Sequence, residues 1–196
     1  MKLNEKLSIR DFYSPWYGII CSLLLGLFYI CLAFPMLRIT TQAGSTFTPN
    51  GYAFMFGFSV DFPELSIGIV EVAKFNIIMA IPFILATLTI LLFLCSKFSV
   101  LFGLIGAAVL ITSGVLITQV TNFEFYGNAI LPDYVSIIRH SEVKREFGYY
   151  LSSIILFVIA AVAIVFMAVM RLKARRLYRK AKADEEGAGV ASHYMR

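Results

Sequence analysis

What the chain lacks most clearly is charge in four long stretches. No acidic or basic residue occurs within Tyr17–Leu37, Phe75–Ser96, Phe98–Asn122 or Phe147–Met170. Each stretch reaches the roughly 20 residues that cross a bilayer, where backbone polar groups are satisfied only inside helices. The sequence therefore excludes a soluble globular protein. It predicts an all-α membrane fold, a four-transmembrane-helix bundle over residues 17–170, with external loops at about 38–65 and 123–146.

The basic residues are unevenly distributed between the connections. Twelve of the 17 lie in the N-terminal segment 1–16, at Lys97 or after Met170, and the two longer connections hold the other five. Because basic flanks stay on the cytoplasmic side during insertion, both termini are predicted to be cytoplasmic. A cleaved signal peptide is the alternative interpretation of the first stretch, but no small-x-small cleavage site follows it.

The external connections lack two common marks of secreted proteins. All three cysteines lie inside predicted spans, which excludes a disulfide in the loops, and the chain contains no Asn-x-Ser/Thr sequon. Both absences are more typical of a bacterial cytoplasmic membrane than of a eukaryotic cell surface. The predicted location is therefore a plasma membrane, with a bacterial origin favoured.

The first external loop contains an alternating aromatic run. Its four rings are candidate partner contacts: Tyr52, Phe54, Phe56 and Phe58. A period of two predicts a strand with the rings on one face, paired in a small hairpin with Thr46–Thr48. Two interpretations remain open, because the rings either pack on the bundle and its membrane interface or form an exposed patch that docks a protein.

Two further loop segments have a predicted structure. In the second loop Phe123 and Phe125 alternate with polar residues, which predicts a third strand beside the hairpin. After Pro63 the run Glu64–Lys74 is expected to form a helix leading into the second span.

The chain beyond Met170 is strongly basic. Residues 171–186 are predicted to form a juxtamembrane helix and residues 187–196 a disordered tail. Basic residues near a membrane attract anionic headgroups, and six are candidate lipid contacts: Arg171, Lys173, Arg175, Arg176, Arg179 and Lys180. Nucleic acid is not expected as a partner, because Tyr178 is the single aromatic residue of the cluster.

Small residues in the third and fourth stretches have spacings that allow helices to approach closely. The candidate packing residues are Gly103, Gly106, Ala107, Ala160 and Ala161. They are expected to seal the bundle, with a contact to a second subunit as the alternative. Pro82 within the second stretch is expected to kink its helix. It is tolerated there because neighbouring groups re-satisfy the carbonyl that it leaves free.

Chemistry-bearing motifs are also missing. The four stretches contain no ionisable acid or base, and His140, Glu142 and Glu146 are explained more simply by charge pairing than by a metal site. No cofactor, metal or enzymatic activity is therefore expected. The predicted role is structural, scaffolding or accessory, through the external loops and with a protein partner or a homo-oligomer. The alternative is a channel or transporter component lined by Pro82, Thr112 and Ser113.

The layout resembles that of claudins and peripheral myelin proteins, with inside termini and a strand-bearing first external loop. The loop tryptophans and cysteines of that family are absent, so no residue role is carried over. The chain also resembles uncharacterised four-span proteins of Gram-positive bacteria, through Gly51-Tyr-Ala-Phe-Met-Phe-Gly57 and Gly148-Tyr-Tyr-Leu151. That resemblance implies the fold and no activity.

Overall fold

The fold is mostly helical, with two small antiparallel sheets. The computed structural model describes residues 15–62, 68–75, 77–96 and 100–194. The helices are α1 Pro15–Cys31, α2 Gly51–Phe56, α3 Ile77–Cys95, α4 Val100–Thr118, α5 Phe123–Tyr126, α6 Pro132–Arg139 and α7 Phe147–Tyr194. The strands are β1 Leu37–Thr40, β2 Thr46–Phe47, β3 Gly57–Phe62, β4 Gly68–Lys74 and β5 Glu142–Arg145. Two short 3-10 turns, Gln119–Thr121 and Gly127–Ala129, flank α5.

Four of the helices, α1, α3, α4 and α7, pack on one another in a bundle. α1 packs against α3 and α7, and α4 packs against the same two helices. Their shared interior is apolar, with Leu25, Phe28, Leu110 and Leu156 fully buried. Near the start of α1, Tyr17 stacks on Phe166 of α7 at a centroid distance of 4.4 Å.

Fewer helices meet the length and hydropathy of a membrane span than take part in the bundle. Within the described residues, two helices are long and apolar enough to cross a membrane, Leu101–Thr121 and Phe147–Lys180. The apolar helices Tyr17–Cys31 and Ala80–Cys95 are shorter. The first of these ends early because the chain turns after Cys31 and enters β1 at Leu37.

The two sheets combine the loops in an unexpected way. β1 lies between β2 and β5 in a three-stranded antiparallel sheet, so the first and second loops share one sheet. β3 and β4 form a separate two-stranded hairpin. Thr46 and Phe47 of the predicted strand Thr46–Thr48 are therefore paired with β1, not with the aromatic run.

The predicted aromatic strand is wrong over most of its length. Tyr52, Phe54 and Phe56 lie in α2, and only Phe58 lies in a strand. The Asn50 side chain caps this helix by accepting a hydrogen bond from the Ala53 N–H at 2.9 Å. Gly57 ends the helix with a φ of 96°, a value that residues with a Cβ rarely adopt.

Two other loop predictions are also wrong. Phe123 and Phe125 lie in α5, which Asn122 caps by accepting from the Glu124 N–H at 3.0 Å. In the expected helix Glu64–Lys74, the part from Gly68 onward is strand β4. Residues 64–67 lie outside the described residues. The β-branched Ile69, Val70 and Val72 favour the strand.

The last helix is longer than predicted. α7 runs without a break from Phe147 to Tyr194, and the basic segment 171–186 lies within it. The tail predicted to be disordered from residue 187 is helical up to Tyr194.

Candidate functional site

The connections between the bundle helices assemble into one structure, which we call the cap. It comprises the described residues 32–62, 68–75 and 119–146. Leu37 pairs with Arg145 and Thr40 with Glu142, so that the β1–β5 ladder joins the two loops. The buried Ile39 and Val60 contribute to a core beneath the sheets. The cap is therefore a folded platform at one end of the bundle.

Backbone hydrogen bonds attach the cap to the helix ends. The Gly51 N–H donates to the Leu32 carbonyl at 2.8 Å, and the Gly148 N–H donates to the Pro35 carbonyl at 2.9 Å. A Cβ at Gly148 would lie 2.6 Å from that carbonyl oxygen. This close approach explains why glycine stands in the first turn of α7. Apart from the glycine itself, no residue pattern in the sequence predicts this close approach to the Pro35 carbonyl.

The structure divides the four predicted aromatic contacts into two groups. Phe54 is 3% exposed and Phe58 is partly buried, and their rings meet at 6.1 Å. Tyr52 and Phe56 are 36% and 67% exposed. The first two are packing residues of the cap, and only the second two face outward. The Tyr52 hydroxyl donates to the carbonyl of Tyr29 in α1 at 2.8 Å.

One face of the β3–β4 hairpin is open. Ser59 stands opposite Glu71 and Asp61 stands opposite Ile69, and all four residues are exposed. We call them the outer hairpin face. Ile69 is 77% exposed, between two carboxylates. The opposite face carries Val60 and Val72, which are buried. This surface is not predicted from the sequence, because residues 64–74 are expected there to form a helix, although the Val-Glu-Val alternation at residues 70–72 favours a strand.

The charged residues of the second loop have partners within the cap. Arg38 of β1 pairs with Glu146 at 2.7 Å, and Lys144 pairs with Glu142 at 3.1 Å. Nδ1 of His140 lies 2.7 Å from the Ser136 carbonyl oxygen. The three residues considered for a metal site, His140, Glu142 and Glu146, are thus each engaged elsewhere.

The predicted packing residues lie in different surroundings. A Cβ at Gly103 would meet the side chain of Met167 in α7, and one at Gly106 would meet Phe93 in α3. Ala107 and Ala160 are each 1% exposed. Ala161, by contrast, lies on the exposed side of α7 and does not contribute to the bundle interior.

The residues of the channel alternative do not face a common space. Thr112 is exposed, and its hydroxyl donates to the Ala108 carbonyl of its own helix. The hydroxyl of the buried Ser113 donates to the carbonyl of Pro82 at 2.6 Å. Ser113 therefore bonds α4 to α3 next to the proline.

The basic residues of α7 are separated from the cap by the length of the bundle. All six predicted lipid contacts have exposed side chains: Arg171, Lys173, Arg175, Arg176, Arg179 and Lys180. Because α7 is continuous, its rise of 1.5 Å per residue puts Lys180 about 14 Å further along the helix axis than Arg171.

A groove of about 470 Å³ lies on α3. Its lining residues are Ile84, Thr87, Leu88, Ile90 and Leu91. The Thr87 hydroxyl donates to the Phe83 carbonyl and contacts the Tyr29 hydroxyl. The groove offers hydrocarbon surface and no acid, base or nucleophile of the kind that catalysis requires.

No protein-family model matches this chain, and no curated protein matches it in sequence. The function is therefore argued from the chain's own residues.

Proposed function

We propose that this chain is a four-span membrane protein that acts without catalysis, as an accessory or scaffolding subunit whose cap binds a partner protein. The basic-residue distribution favours cytoplasmic termini and an external cap. The absence of loop cysteines and of an Asn-x-Ser/Thr sequon favours the cytoplasmic membrane of a bacterium. The likeness to claudins and to Gram-positive four-span proteins supports this proposal only through the arrangement of spans and loops.

The outward surfaces of the bundle support four spans. A helix on the surface of a soluble protein carries charged residues on its outward face. Here each bundle helix exposes large aliphatic side chains instead, among them Leu23 and Ile30 in α1, Ile84 and Leu91 in α3, Leu101 and Ile105 in α4, and Ile154 and Val165 in α7. Water is a poor solvent for such a surface, and lipid is a good one.

The lengths of the two shorter helices are compatible with this proposal. α1 has 17 residues and α3 has 19. At 1.5 Å per residue they extend about 25 and 28 Å, close to the roughly 30 Å of hydrocarbon that a span crosses. Transmembrane helices as short as about 17 residues occur within the usual range.

The bundle interior argues against a transport path. Phe28, Phe83 and Leu110 fill the space between the helices and are buried. Among the described residues, Ser113 and Thr89 are buried hydroxyls of this region, and both donate to backbone carbonyls. A hydrated path needs polar groups that face one another across an opening. The channel alternative therefore has less support than the accessory role.

The observation that carries the partner proposal is the exposure of Ile69 on a well-paired strand of the cap. Ile69 lies five residues before Lys74, about 17 Å along the strand from the end nearest the bundle. An exposed apolar residue between Asp61 and Glu71 fits a partner that presents an apolar contact with basic residues around it. The outer hairpin face is thus the proposed contact.

The test is purification of the full chain in mild detergent, with mass spectrometry of copurifying proteins and light scattering for the assembly mass. We expect a stoichiometric partner with the wild type and with Ser136→Asp, an exposed cap position on α6. Ile69→Asp should lose that partner while accumulating normally in the membrane. Retention of the partner by Ile69→Asp would contradict the proposed contact, and solute flux through liposomes containing only this protein would favour the channel.

The basic part of α7 is proposed to contact anionic lipid on the cytoplasmic side. Screening limits such attraction to about 8 Å at physiological salt, so Arg171 and Lys173 should contribute more than Arg179 and Lys180. This gradient follows because the helix extends straight from the last apolar turn.

A further inference from the structure

Exposed aromatic rings lie where the bundle meets the cap. Phe34 follows α1 and packs edge-to-face on Phe147 at the start of α7, with a centroid distance of 5.8 Å. Phe56 ends α2 and stacks on Phe75, just before α3, at 6.4 Å. We call these four residues the aromatic rim. Each ring is more than 40% exposed, so neither pair is part of the core.

The rim coincides with the boundary between uncharged and charged surface. Lys74 immediately precedes Phe75, Glu146 immediately precedes Phe147, and Arg38 follows Phe34 by four residues. On the other side of the rim, α1, α3 and α4 contain no charged residue. The exposed rings are therefore continuous with the apolar outer faces of the helices and adjoin the first charges of the cap.

We propose that the aromatic rim lies in the external membrane–water interface, so that α2 rests in the lipid headgroup region. Exposed phenylalanines are favoured at the boundary between headgroups and acyl chains, where the ring is buried in hydrocarbon while adjoining charges stay in water. The exposed Tyr52, one turn before Phe56 in α2, is of the type enriched in that layer. Lys74, which immediately precedes Phe75 and is exposed, is placed to extend its charged end toward headgroups. Lipid, not a protein partner, then covers Phe56.

This inference rests on the proposed membrane insertion and deepens it. It divides the exposed surface of the cap into two zones. Phe56 and Tyr52 belong to the lipid-facing zone, whereas Ile69 and Asp61 lie on the hairpin beyond it. Tyr52 and Phe56, the two exposed residues among the four predicted partner contacts, are thereby assigned to the membrane.

Depth-dependent fluorescence quenching tests the inference. Trp16 is the single tryptophan of the chain, so Trp16→Phe gives a tryptophan-free background. Single tryptophans are then introduced as Phe56→Trp in the rim, Ile84→Trp on the outward face of α3, and Ile69→Trp on the hairpin. Each variant is reconstituted into phosphatidylcholine vesicles whose acyl chains carry bromine either near the headgroup or near the chain end.

We expect Phe56→Trp to lose more fluorescence to the shallow bromine than to the deep one. Ile84→Trp should lose more to the deep bromine, and Ile69→Trp should respond only to aqueous iodide. If Phe56→Trp responds to iodide as Ile69→Trp does, or to no quencher, the rim lies in water or under protein and the inference is overturned. If Ile84→Trp is also insensitive to bromine, the proposed membrane insertion itself fails. Phe75→Trp repeats the rim measurement should Phe56→Trp fail to accumulate.

Discussion

Two glycines of the bundle and two glycines at the cap meet different kinds of neighbouring atoms. In the bundle, Gly103 and Gly106 face the side chains of Met167 and Phe93. At the cap, Gly57 and Gly148 face backbone atoms of neighbouring segments, the Ala73 carbonyl in one case and the Phe34 and Pro35 carbonyls in the other. Side chains move aside more cheaply than paired backbone does. Gly57 and Gly148 should therefore tolerate added volume less well than Gly103 and Gly106 do.

The largest effect is expected from Gly57→Ala. The φ of 96° and ψ of 164° lie in a region that is essentially restricted to glycine and costs other residues about 1–3 kcal/mol, and overpacking adds about 1–3 kcal/mol. The new Cβ would lie 2.3 Å from the Ala73 carbonyl oxygen, within the β3–β4 ladder. We expect a loss of about 3 kcal/mol, measured by denaturant unfolding in detergent, with early protease cleavage in the cap while the helices stay protected.

Gly44→Ala is the matched control for this substitution. Its φ is 95°, nearly that of Gly57, but no atom lies within 4 Å of the position of its Cβ. It should carry only the conformational cost of about 1–2 kcal/mol. Equal losses for Gly44→Ala and Gly57→Ala would mean that the backbone contact contributes nothing, and the contrast between cap and bundle would not hold.

A smaller effect is expected within the bundle from Gly106→Val. Its Cβ would lie 2.9 Å from the ring of the fully buried Phe93, and the ring must shift to admit it. We expect a loss of about 1–2 kcal/mol in the same unfolding assay. Gly26→Val on α1 meets nothing within 4 Å and should be neutral within about 0.5 kcal/mol. A loss at Gly106 as large as that at Gly57 would contradict the proposed difference.

The same two regions differ in how well their structure could be predicted. Each of the four long uncharged runs overlaps a helix of the bundle, and two of these helices are long and apolar enough to cross a membrane. In the cap, two aromatic alternations resembled strands, yet Asn50 and Asn122 cap helices before them. A single capping hydrogen bond outweighed the alternation in segments of four to six residues.

The pairing of β1 with β5 was beyond sequence reasoning for a different reason. The two strands are about a hundred residues apart in the chain, and nothing local to Leu37–Thr40 indicates a partner in the second loop. The outer hairpin face was missed for a local reason, because Gly68–Lys74 was assigned to a helix. Contacts that depend on long-range pairing could therefore not be predicted from local sequence, whereas the packing glycines of α4 were predicted from their spacing alone.

The smallest effect concerns the ion pair that links the two loops within the cap. Arg38 and Glu146 lie 2.7 Å apart with side chains 51% and 26% exposed, so solvent screens much of their attraction. A double-mutant cycle with Arg38→Gln and Glu146→Gln should give a coupling of about 0.5–1 kcal/mol at low salt, decreasing as salt rises. The pair Glu142 and Lys144 lies within one strand and is more than 60% exposed, and the corresponding cycle should give about zero. A coupling at Arg38–Glu146 that is no larger than this would mean that backbone pairing alone holds the two loops together.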